Sequence, residues 1–281
     1  MAISLKHKDS VTGIVLYLFN LLRQYKDMEE SFALSDLIEY IKTFDKSETA
    51  IRMGLSRMSK ADVVKKIKID GDIYYKLDKE GKKDLNIWSR GYEYFILKYS
   101  YRASGKWDNN WHSYILKDFN KSEKANEEII ENLEELGKKE IEYNIWTSPY
   151  DMSEKIVSLL DNNDISYFYT VGEINTNINL NNYLKEAYGL DELRENYQEV
   201  LDMIEENNKF IGNKKTETID LLPKLGYTGW LFYTLVIKDP FLPKEIMKDW
   251  IGDKAVEEFK YFREKTFSKI INDLFKKRKE V

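Results

Sequence analysis

Along residues 47–62 the apolar positions recur every three or four residues. Ile51, Leu55, Met58 and Asp62 fall on one side of a helix, and Thr49, Arg52, Met53, Ser56 and Lys60 fall on the other. One side is built for a core and the other for a polar partner. The period then changes to two. Ile67 and Ile69 alternate with Lys66 and Lys68, and Ile73, Tyr75 and Leu77 alternate with Tyr74 and Lys76, about the tight-turn pair Asp70-Gly71. This predicts a hairpin with one buried face and one lysine face. Two further apolar runs precede it as helices, Val11 to Leu22 and Leu34 to Phe44, the second with Ser35 as its cap.

Three helices followed by a hairpin is the order of a winged helix-turn-helix, in which the third helix enters the major groove and the wing straddles the backbone. On that reading Thr49, Arg52 and Ser56 meet base edges, while Arg57, Lys60, Lys66 and Lys68 meet phosphates. The alternative is a module that docks proteins, with the apolar stripe serving only as core and the lysines only as a solvated face.

Past the wing, residues 78–106 carry Gly81, Gly91 and Gly105 among charges and aromatics and are predicted as a connecting helix and loop. From Trp111 the pattern alternates. Strands are expected at 111–119, 138–148 and 165–173, with helices at 122–137 and 152–161, which indicates a small α/β unit of ferredoxin-like type. Beyond it, Leu193, Tyr197, Val200, Leu201 and Ile204 keep helical spacing, and most of the remainder reads the same way. The expected fold class is therefore α+β: a winged helix-turn-helix over 1–86, a connecting helix over 87–106, a ferredoxin-like domain over 107–175 and a helical domain over 176–281.

Charge sharpens the first assignment. From Lys46 to Lys68 there are seven Lys or Arg against two acids, inside a chain of net charge −5. A local positive field in an acidic chain suits a phosphate-facing surface. The length of 281 residues leaves room for two or three domains, and 42% hydrophobic with 33% charged residues is a globular composition. Cysteine is absent, which removes disulfides, thiolate zinc sites and a cysteine nucleophile and fits a reducing compartment. Lys6 and Lys8 before the apolar run at 11–22 imitate a signal peptide, but no small-residue cleavage site follows and the run is too short to span a bilayer. The expectation is a cytoplasmic protein with no membrane partner. Lys276, Lys277, Arg278 and Lys279 read as a solvated helix end.

Five blocks resemble the PaaX-like repressors, the family typified by the repressor of phenylacetate degradation. SETAIRMGLSRM at Ser47 is similar to that family's recognition helix, and GDIYYKLDKEGKK at Gly71 to its wing return strand. WDNNWHSYIL at Trp107, NIWTSPYDM at Asn144 and DPFLPKEIMKDWIGDKA at Asp239 resemble its central and C-terminal signatures. The resemblance implies a homodimeric repressor of a double-stranded operator, with half-sites in an inverted repeat. It also implies release by a small-molecule effector, an aryl- or acyl-coenzyme A thioester. The acidic wing tip, Asp70-Gly71-Asp72, departs from the basic tip usual in the family and shifts readout onto the helix.

Other chemistry is thinner. The central unit also resembles the nuclease subunit of CRISPR spacer integration, with Asp118 at the place of its metal-holding aspartate. No second carboxylate stands beside it in sequence, and Mg²⁺ asks for about six oxygen donors. His7 and His112 are the only histidines, and there is neither a Walker lysine loop nor a dinucleotide glycine fingerprint. No catalytic residue, metal or cofactor is expected. Tyr99, Tyr101, Trp107 and Trp111 are candidates to line an aromatic effector pocket, with core packing as the alternative. Trp230, Phe232 and Tyr233 lie in a stretch apolar on nearly every side, which predicts a buried helix or a dimer face.

Overall fold

In the computed structural model, which describes residues 7–25, 30–120, 123, 126–211 and 216–275, the first helix starts where Ser10 is extended. The Ser10 hydroxyl accepts the Gly13 amide (3.1 Å) and so satisfies an orphan donor of α1 (Val11–Arg23). Every residue from Gly13 to Leu22 is buried, and a helix buried all round needs partners on all sides. Some of them come from far downstream. The Tyr17 hydroxyl donates to the Leu222 carbonyl (3.1 Å), and its ring lies 5.3 Å from Trp230 and 6.1 Å from Phe44.

The structure is mixed α+β, with ten α-helices and two antiparallel sheets among the described residues. The chain divides into two compact units. Met1–Arg90, Val200–Phe232 and Glu257–Val281 make the first, and Gly91–Glu199 with Tyr233–Val256 make the second.

In the first unit α1 is followed by β1 (Ser31–Ala33), α2 (Leu34–Lys42), α3 (Glu48–Lys60), β2 (Val64–Ile69) and β3 (Asp72–Leu77). β3 is central, paired antiparallel with β1 on one side and β2 on the other. The expected Ser35 cap is not used. Ala33 occupies the cap position without a side-chain hydrogen bond, and Ser35 lies inside the first turn. The hairpin turns at Asp70 (φ 50°) and Gly71 (φ 94°), both in the left-handed region that a two-residue primed turn requires. Its faces differ from the expected ones, because register pairs Val64 with Leu77, Lys66 with Tyr75 and Lys68 with Ile73. Val64, Tyr75 and Leu77 are buried, so Lys66 and Lys68 extend the buried face, and Ile67 and Ile69 share the other face with Lys65 and Lys76. Ile69 is 43% exposed.

In the second unit lie most of α4 (Lys79–Ser104), β4 (Trp111–Leu116), α5 (Glu127–Glu135), β5 (Lys139–Glu142), β6 (Ile145–Ser148), α6 (Ser153–Asp161), β7 (Tyr167–Gly172) and α7 (Leu180–Ala187). The sheet order is β5-β6-β4-β7, antiparallel at each junction. Residues 138–148, expected as one strand, are two. The chain reverses at Asn144, whose φ of 57° Asn tolerates. The Asn144 amide donates to Glu140 Oε1 (2.6 Å) and its side chain to the Phe119 carbonyl (3.0 Å). Tyr114, Leu116 and Trp146 meet Ile129 and Leu133 of α5 and Ile156 and Leu160 of α6 in one core.

Three cations are buried in this unit. Arg102 gives Nε and Nη2 to Asp253 (2.7 Å each) and further donors to the Leu242 and Met247 carbonyls. Lys98 Nζ donates to the Ile237 carbonyl (2.9 Å), and burial pushes its ammonium down to about 8. Lys138 donates to the His112 carbonyl and faces the Tyr114 ring, and burial pushes it down to about 7.

The remaining helices, α8 (Leu190–Ile211), α9 (Leu221–Lys238) and α10 (Ile251–Ile270), each contribute residues to both units. In the first unit Trp230 and Phe232 are buried core, and Phe275 lies 5.9 Å from Phe32. The 176–281 segment therefore supplies apolar surface that α1 and α2 need. No described helix is long and apolar enough to cross a membrane. The basic run at 276–279 lies outside the described residues.

Candidate nucleic-acid interface

α3 begins at Ser47, whose hydroxyl accepts the Ala50 amide (3.2 Å). Ile51, Gly54, Leu55 and Met58 are its buried stripe. Gly54 is needed there because a β-carbon would sit 2.6 Å from Val11 Cγ1 of α1. The helix stops at Lys60, two residues before the sequence pattern suggested. Ala61 donates to the Arg57 carbonyl and Val63 to the Met58 carbonyl (3.0 Å), with Asp62 between them in the left-handed region at φ 53°. Asp62 thus leaves the apolar stripe and pairs with Lys79 (2.8 Å).

Fixed by that stripe, the other side of α3 is exposed from end to end. Thr49, Arg52 and Ser56 rise along successive turns, Lys60 follows, and Met53 and Arg57 flank them. Met53 is 57% exposed, a large apolar side chain turned outward in the middle of a polar surface. Arg52 gives Nε (3.0 Å) and Nη2 (2.9 Å) to Glu48 Oε1, and Lys42 donates to Glu48 Oε2 (3.1 Å). Arg52 and Lys42 hold the Glu48 carboxyl below the usual carboxylate range. Arg52 also lies close enough to Tyr75 to oppose the rise that burial imposes on that hydroxyl, so helix and hairpin are electrostatic neighbours.

Lys66 and Lys68 are exposed on the hairpin, although on the side predicted to be apolar, and Lys65 and Lys76 face each other on the opposite side. Sequence reasoning missed Lys42, Glu48 and Lys65 as parts of this surface. Anchoring the two-residue period on Val64 rather than on Ile67 would have given the register. The surface holds cations at the helix and along both hairpin faces, with donors at Thr49 and Ser56. Hydrogen bonding to base edges and pairing with phosphates is the chemistry such a set performs.

The other candidates separate. Trp107 stands edge-on to buried Trp111 (5.8 Å) and donates to the Asn110 carbonyl (3.0 Å). Tyr101 stacks on Tyr150 (5.0 Å), and Tyr99 stands edge-on to Phe241 (5.5 Å). A cavity of about 430 Å³ in the first unit is lined by Asp45, Glu206, Asp220, Lys224, Phe210 and Tyr227 among others. A smaller one, about 200 Å³ in the second unit, has Lys185, Asp191, Arg194 and Trp250 in its wall. None of the four aromatics lines either. Asp118 is exposed in the turn after β4 at φ 53°. Among the described residues no three His, Asp or Glu side chains are grouped to hold a metal ion.

Residues 18–81 match the family model of PaaX-like proteins, so the resemblance read from the sequence is borne out over that stretch; that family is associated with transcriptional regulation. None of the curated proteins matches the chain. The chain is similar in structure to the uncharacterized protein Rv0674 from Mycobacterium tuberculosis, with a TM-score of 0.60, 16% identity, and coverage of 93% of this chain and 97% of that one. At that identity the likeness is one of fold.

Proposed function

We propose that the chain is a cytoplasmic, DNA-binding transcriptional repressor that acts as a homodimer on an inverted-repeat operator and is released by a small-molecule effector. The observation that carries this reading is α3. It has a buried stripe on one side and Thr49, Arg52, Met53, Ser56, Arg57 and Lys60 exposed on the other, inside the stretch that matches a regulator family. The order α1, β1, α2, α3, β2, β3 with β3 central supports a winged helix-turn-helix. The β-α-β-β-α-β order with the sheet β5-β6-β4-β7 supports a ferredoxin-like second unit.

In this reading α3 lies in the major groove. Arg52, Thr49 and Ser56 meet base edges, Met53 offers an apolar contact to a thymine methyl, and Arg57, Lys60, Lys66 and Lys68 meet phosphates. The acidic turn at Asp70 and Asp72 keeps the wing tip off the backbone, so the helix carries most of the readout. A coenzyme A thioester as the effector rests on the resemblance alone. Tyr99, Tyr101, Trp107 and Trp111 contact other rings or backbone, which favours packing as their role. Footprinting the purified protein on the DNA flanking its own gene tests the proposal. Two protected half-sites related by a two-fold are expected. Absence of protection at low salt, or metal-dependent cutting that Asp118→Asn abolishes, would overturn it.

A further inference from the structure

β7 ends its sheet, with β4 on one side and no strand on the other among the described residues. The Lys117 amide donates to the Ser166 carbonyl (2.8 Å). In antiparallel register that makes Ile115/Phe168 and Ser113/Thr170 the hydrogen-bonded pairs, and it turns the N–H and C=O groups of Tyr167, Tyr169 and Val171 to the outer edge. The strand YFYTVG carries no charge, no proline and no bulge, the devices by which exposed edges avoid pairing. Phe168 is 67% exposed, Val171 46% and Tyr169 41%.

From this edge we propose that β7 pairs antiparallel with β7 of a second copy, about a two-fold axis through Tyr169, joining two four-stranded sheets into one of eight strands. Residue identities favour a copy of this chain over any other strand. Centred on Tyr169, Tyr167 lies opposite the partner's Val171, and Phe168 lies opposite the partner's Thr170 on the same face. The three outward residues of each chain supply six hydrogen bonds, each donor meeting an acceptor. The nearest charges, Asp164 and Glu173, face Ile174 and Ile165 of the second copy, so no like charges oppose each other. A two-fold pairing of this kind is closed and self-limiting, which an open edge offered to unrelated strands is not.

The inference rests on the dimeric part of the reading above and names its surface. The dimer is expected in the micromolar range by sedimentation, since one strand pair is a modest interface. Val171→Pro removes an outward donor while sparing the ladder to β4, and it should weaken dimerisation at least tenfold with the melting temperature little changed. Because the chain has no cysteine, Tyr169→Cys introduces a single thiol. Its Cα would lie about 5.5 Å from its two-fold mate on the same face, within reach of a short bis-maleimide, so that reagent should give a covalent dimer, while Ser158→Cys on α6 should not. A dimer that survives Val171→Pro and gives no Tyr169→Cys cross-link sinks this edge and leaves the homodimer standing. A monomer at about 100 µM, far above the expected range, sinks both.

Discussion

Arg52→Ala probes the interface most sharply, because two structural terms set its size. A bidentate arginine contact to a base is worth about 1–3 kcal/mol. Arg52 must first leave Glu48, to which it gives two hydrogen bonds across an exposed helix surface. An exposed pair of this kind offsets little, so Arg52→Ala should cost about 1–2 kcal/mol, roughly 5- to 30-fold in Kd. The loss should be confined to one base pair: on an operator altered there, wild type and variant should bind alike. Glu48→Gln removes the competing carboxylate and one negative charge facing the phosphates, so it should tighten binding. In the Arg52→Ala background that gain should shrink to the charge effect alone. Lys66→Ala, by contrast, should weaken all sequences equally and lower the slope of log K against log salt by about 1. Anisotropy titrations on the protected operator and its single-base-pair variants, at fixed salt, measure all of these. If Arg52→Ala weakens every sequence to the same degree, or none, α3 is not oriented as described.

Gly54→Val should destabilise by about 1–3 kcal/mol through overpacking against Val11, despite the better helix propensity of valine over glycine, and a thermal melt at or above wild type would refute the close crossing of α1 and α3. Lys138 and Lys98 are pushed down to about 7 and about 8 by burial, so the unfolded chain binds the extra protons above those values. Stability should therefore rise from about pH 7 towards the ordinary lysine range, by about 1 kcal/mol per pH unit for each lysine. Lys138→Met should be more stable than wild type at pH 7 and should show a flatter dependence; an unchanged slope in chemical denaturation would contradict the lowered proton affinity that burial gives Lys138. Coenzyme A thioesters that raise the melting temperature should also loosen operator binding, by about 5- to 150-fold for a typical coupling. A panel in which none binds, or in which binders leave DNA affinity unchanged, removes that class of effector.

The helices of the first unit were legible because burial writes a period of 3.6 into residues such as Ile51, Leu55 and Met58. Asp70-Gly71 likewise announced its turn. The hairpin faces were misread because the stretch at 64–69 offers isoleucine and valine on both faces. Only the pairing fixed by the turn tells that Val64 faces inward and Ile69 outward. β1 is three residues long and leaves no periodic trace. The break at Asn144 was hidden because asparagine adopts a positive φ without the glycine that would mark it. The two-unit division of 176–281 depends on contacts such as Tyr17 with Leu222, which no local pattern records. At the candidate interface the exposed identities were readable from the helix period. Glu48 holding both Arg52 and Lys42 needed coordinates, since Lys42 belongs to the preceding helix.

If the exposed side of α3 lies in the major groove, a probe tethered to it must reach the DNA on both half-sites. Because the chain has no cysteine, Ser56→Cys provides a unique anchor for a tethered iron chelate that cuts nearby DNA. Cleavage from Ser56 should fall in two clusters within the major groove, one in each protected half-site, while the same chelate on Ser158→Cys should leave those positions intact. Operator that is bound yet uncut from Ser56, or cut equally from both anchors, would mean that α3 does not enter the groove.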